Sequence, residues 1–95
     1  MIEKIKTLAK SFEDFKRETE EEVVIYGDLQ NEILEIQIFD IKTFSELAKN
    51  KSIEYRVTDR EGTELIWTTI SVSNTTKVFK VNTREELKKL EELIF

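Results

Sequence analysis

The spacing of hydrophobic residues changes along this chain, and it separates the segments that can form helices from those that can form strands. At both ends apolar residues recur every three or four positions, as on one face of an α-helix. In the middle they alternate with polar residues, as on a strand with one buried face. We therefore predict an α+β domain with a mostly antiparallel sheet of about five strands, and three helices on one face of the sheet, in the order α-β-β-α-β-β-β-α.

The predicted elements follow from this spacing. The first helix covers residues 2–19, and its apolar face comprises Ile2, Ile5, Leu8, Ala9, Phe12 and Phe15. The predicted strands cover residues 23–26, 32–41, 53–58, 63–73 and 76–82. In the fourth strand Leu65 and Trp67 share one face and Ile66 and Ile70 the other. Either both faces of this strand are covered, or a bulge resets its register.

The starts of the other two helices carry capping motifs. Residues 43–46 (TFSE) and 83–86 (TREE) both match a capping box, in which Thr and Glu side chains bond the first backbone amides. They predict a short helix capped by Thr43 and a closing helix capped by Thr83. Asn50 and Gly62 are predicted to adopt positive φ, at a helix end and in a hairpin turn.

The composition removes the usual catalytic and metal-binding side chains. The chain contains neither histidine nor cysteine, so a Ser-His-Asp arrangement, a thiol nucleophile and the common zinc sites are excluded. Its two glycines lie far apart and form no phosphate-binding loop. The densest acidic group is Asp59, Glu61 and Glu64, whose spacing matches no calcium loop and which we interpret as a solvated turn. We expect no catalytic residues, metal or cofactor, and a protein that is not an enzyme.

Length and charge limit the number of domains and the kinds of partner that this protein can have. We expect residues 1–95 to form a single domain. The absence of cysteine, of an apolar signal segment and of any apolar run of about 20 residues favours a cytoplasmic protein with no membrane partner. A net charge of −5 argues against a general nucleic-acid binder.

The first helix carries its charges in an unusual order. Lysines 4, 6 and 10 lie in its first half, and acids follow at positions 13, 14, 18 and 20–22, which opposes the helix macrodipole. Antiparallel pairing of this helix with its copy would set each basic half against an acidic half. This predicts a homodimer with candidate interaction residues Ile5, Leu8, Phe12 and Phe15. The alternative is a helix packed on its own core whose surface charges have no role.

Two further interpretations concern partners. Tyr55 and Trp67 are also candidate interaction residues, since Tyr and Trp are enriched at interface centres, although ordinary packing would explain them as well. Candidate nucleic-acid contacts are Arg56, Lys77 and Lys80, which lie on strands with aromatic neighbours; the alternative is surface pairing with nearby Glu residues.

The leading interpretation is a small acidic, non-catalytic protein-interaction domain that self-associates. It is compatible with a viral or mobile-element protein that binds a host protein, because the acidic segment 18–22 could imitate phosphates in a basic groove. The alternative function is a nucleic-acid-associated protein that uses a basic and aromatic sheet face.

Overall fold

The computed structural model describes residues 1–19, 23–28 and 32–95. It confirms the predicted α+β class and the order of the elements. The helices are α1 (Ile2–Thr19), α2 (Ile41–Ala48) and α3 (Arg84–Ile94). The strands are β1 (Val23–Asp28), β2 (Ile33–Ile38), β3 (Glu54–Arg60), β4 (Thr63–Ser71) and β5 (Thr76–Asn82).

The strands form one sheet in the order β1-β2-β5-β4-β3. The β1–β2, β3–β4 and β4–β5 pairs are antiparallel, whereas β2 and β5 are parallel. The parallel pair lies at the centre of the sheet and joins strands that are far apart in sequence. Consequently β1 and β3 are the two edge strands. The helices leave β3 largely uncovered, and the side chains of Tyr55 and Val57 are half or more exposed.

Helices α2 and α3 pack together on one face of the sheet, as predicted, but the prediction that all three helices lie there is wrong, because α1 supplies no side chain to the described core. The core lies between them and the three central strands, so the described core draws on β2, β4, β5, α2 and α3. Its buried side chains are Ile38, Phe44, Ala48, Ile70, Val78 and Leu90. We call the opposite side of the sheet the outer face.

The cap of α3 is the one that the sequence predicts. The Thr83 hydroxyl accepts a hydrogen bond from the Glu86 amide at 3.2 Å, and the Glu86 carboxylate accepts one from the Thr83 amide at 3.1 Å. The predicted cap of α2 at Thr43 is wrong, because the N-cap is Asp40. The Asp40 carboxylate accepts two hydrogen bonds from Thr43, one from the amide at 3.0 Å and one from the hydroxyl at 2.6 Å. Both hydrogen bonds lower the pKa of Asp40, and the bond from the hydroxyl has the larger effect.

The turn residues and the register of β4 follow local rules. Asn50 has φ 63° and Gly62 has φ 81°, both positive as predicted. Glu61 also has positive φ, at 54°, so the β3–β4 turn has the two left-handed residues that match strand twist in a hairpin. Pairing along β4 is continuous against β3 and β5, so the change of apolar phase arises from coverage on both faces and not from a bulge.

Candidate interaction surfaces

The first surface is the apolar face of α1, which lies in solvent. Its residues Ile2, Ile5, Leu8 and Phe12, which we call the α1 stripe, are 69%, 60%, 72% and 50% exposed. Phe15, the remaining predicted interaction residue of this helix, is only half-exposed. An amphipathic helix gains most of its stability when something covers its apolar side. Helix α1 therefore presents a surface that a partner could cover.

The charges of α1 keep the order that the sequence predicts. Lys4, Lys6 and Lys10 lie in the first half, and Glu13, Asp14 and Glu18 in the second. Within the helix, Arg17 pairs with Asp14. The predicted acidic segment continues to residues 20–22, which lie outside the described residues. The first half of α1 thus carries three lysines and Glu3, and the second half carries three acids together with Lys16 and Arg17, so the net charge changes from +2 to −1 along the helix.

The second surface is a row of aromatic side chains on the outer face. The ring centroids of Tyr26 and Phe79 are 6.3 Å apart, and those of Trp67 and Phe79 are 5.4 Å apart with planes 17° from parallel. The Arg56 guanidinium carbon lies 4.5 Å from the Trp67 ring centroid. Because β4 lies between β3 and β5, the indole is packed between Arg56 and Phe79.

A shallow hollow of about 230 Å³ opens beside this row. Two acids and two bases line it, namely Glu35, Glu54, Arg56 and Lys77. Its charge is balanced, so it has no strong preference for an anion or a cation. The faces of Trp67 already contact Arg56 and Phe79, which leaves little room for a base to stack on the indole.

Strand geometry separates the predicted nucleic-acid contacts. Arg56 and Lys77 lie with Trp67 on the outer face. The predicted nucleic-acid contact at Lys80 is wrong, because Lys80 is three residues from Lys77 and its side chain points to the opposite face of the sheet. It is 3% exposed, and its ammonium donates to Asn82 Oδ1 at 3.0 Å. Tyr55 also lies on the helix side, opposite Thr68 in the register.

Lys80 belongs to a buried polar network that the sequence did not indicate. The Asn82 amide donates to the Ile66 carbonyl at 3.2 Å and to the Thr68 hydroxyl at 3.1 Å. Lys80 also reaches the Glu86 carboxylate, at 3.4 Å. The hydrogen bond from the Thr83 amide lowers the pKa of Glu86, and the positive charge of Lys80 lowers it further, by a smaller amount. This network ties the β4–β5 pair to the start of α3 and has a structural role.

Two other groups of titratable side chains are also structural. Asp59 accepts a hydrogen bond from the Gly62 amide at 3.1 Å, and Glu64 pairs with Arg84 Nε at 2.7 Å, so the acidic group around this hairpin supports the turn and α3. Tyr55 lies near Glu91; burial, and then the charge of Glu91, raise its pKa.

The described residues contain no cluster of three or more His, Cys, Asp or Glu side chains that could hold a metal ion. None of the helices in the same part of the chain is long and apolar enough to cross a membrane. No protein-family model, curated protein or solved structure matches this chain.

Proposed function

We propose that this protein is a non-catalytic interaction domain that self-associates, with the α1 stripe as its contact surface. One observation carries the proposal: an 18-residue helix has four apolar side chains that are half or more exposed, whereas α2 and α3 supply Phe44, Ala48 and Leu90 to the buried core. Covering an exposed Ile, Leu or Phe contributes about 1.5–3 kcal/mol. The four side chains of the stripe could therefore support a stable contact.

The arrangement of the other polar groups supports an interaction role over a catalytic one. The buried side chains of Thr68, Lys80 and Asn82 bond one another near the start of α3, and the outer-face hollow is lined by charges of both signs. Neither arrangement offers a side chain suited to proton transfer at neutral pH. We also propose a cytoplasmic location, which the lack of cysteine favours.

The test measures mass in solution by light scattering over a range of concentrations. The double variant Leu8→Gln/Phe12→Gln removes two side chains of the α1 stripe at a spacing of four. Its matched control is Lys10→Gln/Asp14→Gln, which has the same spacing, lies on the other side of the helix and leaves the net charge unchanged. Gln is a good helix former, so both variants should keep α1.

We expect the wild type and the control to self-associate and the stripe variant to be a monomer at the same concentrations. If the stripe variant associates as tightly as the control, another surface makes the contact. A wild type that stays monomeric at every concentration would remove self-association altogether.

A second candidate function is nucleic-acid binding by the outer face. The observation that favours it is the placement of Arg56 and Lys77 on one face with Trp67 and Phe79. Binding of single-stranded DNA that weakens steeply with salt, and that is lost in Arg56→Gln/Lys77→Gln, would support it. The control is Lys49→Gln/Lys51→Gln, which removes two exposed lysines near the end of α2. Equal binding by both variants would reject this face.

A further inference from the structure

We infer that the partner of the α1 stripe is α1 of a second copy of this chain, lying antiparallel to it. This inference rests on the proposed function and deepens it, because it names the occupant and its orientation. Three properties of α1 support it: the exposure of the stripe, the position of charged residues on both sides of it, and the order of those charges along the helix.

On each flank of the α1 stripe a lysine comes first and a glutamate follows, and Lys16 and Arg17 lie among the acids of the second half. Residues seven apart occupy nearly the same angular position on a helix. One flank contains Lys4 and, two such repeats later, Glu18. The other flank contains Lys6 and, one repeat later, Glu13. Both flanks thus carry a lysine near the start and a glutamate towards the end.

An antiparallel pair matches these flanks without any further adjustment. In such a pair each flank faces the same flank of the other copy, running in the opposite direction. With the two-fold axis at the level of residue 10, Lys4 is offset along the helix axis by about 3 Å from the partner's Glu18, and Lys6 by about 1.5 Å from the partner's Glu13. Both offsets are within the reach of these long side chains. One register, centred between Leu8 and Phe12 at the middle of the α1 stripe, therefore allows the apolar contact and both charge contacts.

A parallel pair fails the same comparison. It would set the lysine ends of both helices side by side and the glutamate ends side by side, which is unfavourable for like charges. The flanking charges set orientation and partner choice, while the apolar residues supply the affinity.

The test reverses all four flanking charges in one variant, Lys4→Glu/Lys6→Glu/Glu13→Lys/Glu18→Lys. Its net charge equals that of the wild type. Acids now lie near the start of α1 and bases near its end, which suits the macrodipole, so the helix should not be weakened. The antiparallel arrangement predicts that this variant self-associates like the wild type, because its flanks are again self-complementary.

The decisive measurement mixes this variant, carrying a distinguishable mass tag, with the wild type. Antiparallel pairing sets Lys4 of the wild type against Lys at position 18 of the variant, so the two chains should sort into separate homodimers. We expect at least about tenfold fewer mixed dimers than random exchange gives. A parallel pair would instead favour the mixed dimer, and that result would overturn the inference.

The failure of this inference can be told apart from failure of the proposed function. If Leu8→Gln/Phe12→Gln abolishes association but the charge-reversed chain mixes with the wild type at random, the α1 stripe is the contact and the antiparallel register is wrong. If the stripe variant associates normally, the contact surface itself is wrong and both proposals fail.

Discussion

Helices α1 and α3 have the same amphipathic spacing and opposite surroundings. The apolar side of α3 packs on the core, where Leu90 is 1% exposed, whereas Leu8 of α1 is 72% exposed. Helix α3 begins with a capping box and two acids in its first turn, in agreement with the macrodipole, whereas the first half of α1 carries three lysines and one acid, Glu3. The sequence of α3 is explained by its own helix and its own core. Under the proposed self-association, the sequence of α1 is explained by a partner.

The largest expected difference between the two helices is in the cost of removing a leucine. Leu90→Ala leaves a cavity in the core and should lower the free energy of unfolding by about 3 kcal/mol. Leu8→Ala, made in α1, should change it by no more than about 0.5 kcal/mol when measured at a dilution where the protein is monomeric. Urea unfolding checks both variants. Equal losses would mean that the α1 stripe is packed within the monomer.

The caps should differ next. Thr83→Ala removes a hydroxyl that accepts a hydrogen bond from the Glu86 amide, and it should lower the free energy of unfolding by about 1 kcal/mol. The matched variant Thr7→Ala removes a hydroxyl that only donates to the Glu3 carbonyl one turn back, at 2.8 Å. It should be neutral or slightly stabilising, because Ala is the better helix former. Thermal unfolding followed by circular dichroism separates the two, and a larger loss for Thr7→Ala would contradict the comparison.

The smallest expected effect is on acid stability at the start of α3. The pKa of Glu86 is lower in the folded than in the unfolded chain, so its stabilising contribution is complete above the unfolded pKa and is lost as pH falls through the folded pKa. Glu86→Gln should therefore reduce stability at neutral pH, and the difference from the wild type should shrink as pH falls through the lowered pKa of Glu86. The loss should be less than about 1 kcal/mol, because the side chain is half-exposed.

The control for this prediction is Glu85→Gln, which removes the same charge from the same turn without touching the bonds to Thr83. Urea midpoints at acidic and neutral pH should move more for the Glu86 variant than for this control. Equal pH dependence of the two would show that charge near the helix start, and not the capping box, is responsible.

Local patterns were sufficient for the elements and some of their ends. The spacing of α1 and α3, the alternation in β2 and β3, and the positive φ of Asn50 and Gly62 all depend on neighbours within a few residues. The predicted start of α2 is wrong because two residues that can cap a helix, Asp40 and Thr43, both lie near it. Asp40 and Thr43 lie three residues apart, and the carboxylate of Asp40 bonds both the amide and the hydroxyl of Thr43.

Features that depend on distant pairing could not be predicted in the same way. The parallel pairing of β2 with β5 joins segments separated by α2 and the β3–β4 hairpin. The burial of Lys80 follows from that sheet, since Thr68 and Asn82 supply polar neighbours on the helix side. The two-residue period of a strand places Lys77 and Lys80 on opposite faces of β5, so this separation follows from the sequence once the strand is assigned.

The central claim, that a second copy covers the α1 stripe in antiparallel orientation, is tested most directly by distances between copies. The chain has no cysteine, so Glu3→Cys and Arg17→Cys each give a single site for a spin label. In the antiparallel pair, position 3 lies level with position 17 of the other copy. Each labelled homodimer then separates its labels by about 20 Å along the helix axis, at 1.5 Å per residue.

We predict that dimers mixing one label at position 3 with one at position 17 give the shortest distance, set by the roughly 8–10 Å between packed helix axes and the length of the labels. Both homodimers should give clearly longer distances. Short distances in the homodimers and a long one in the mixed dimer, or no distance between copies at any concentration, would contradict the account.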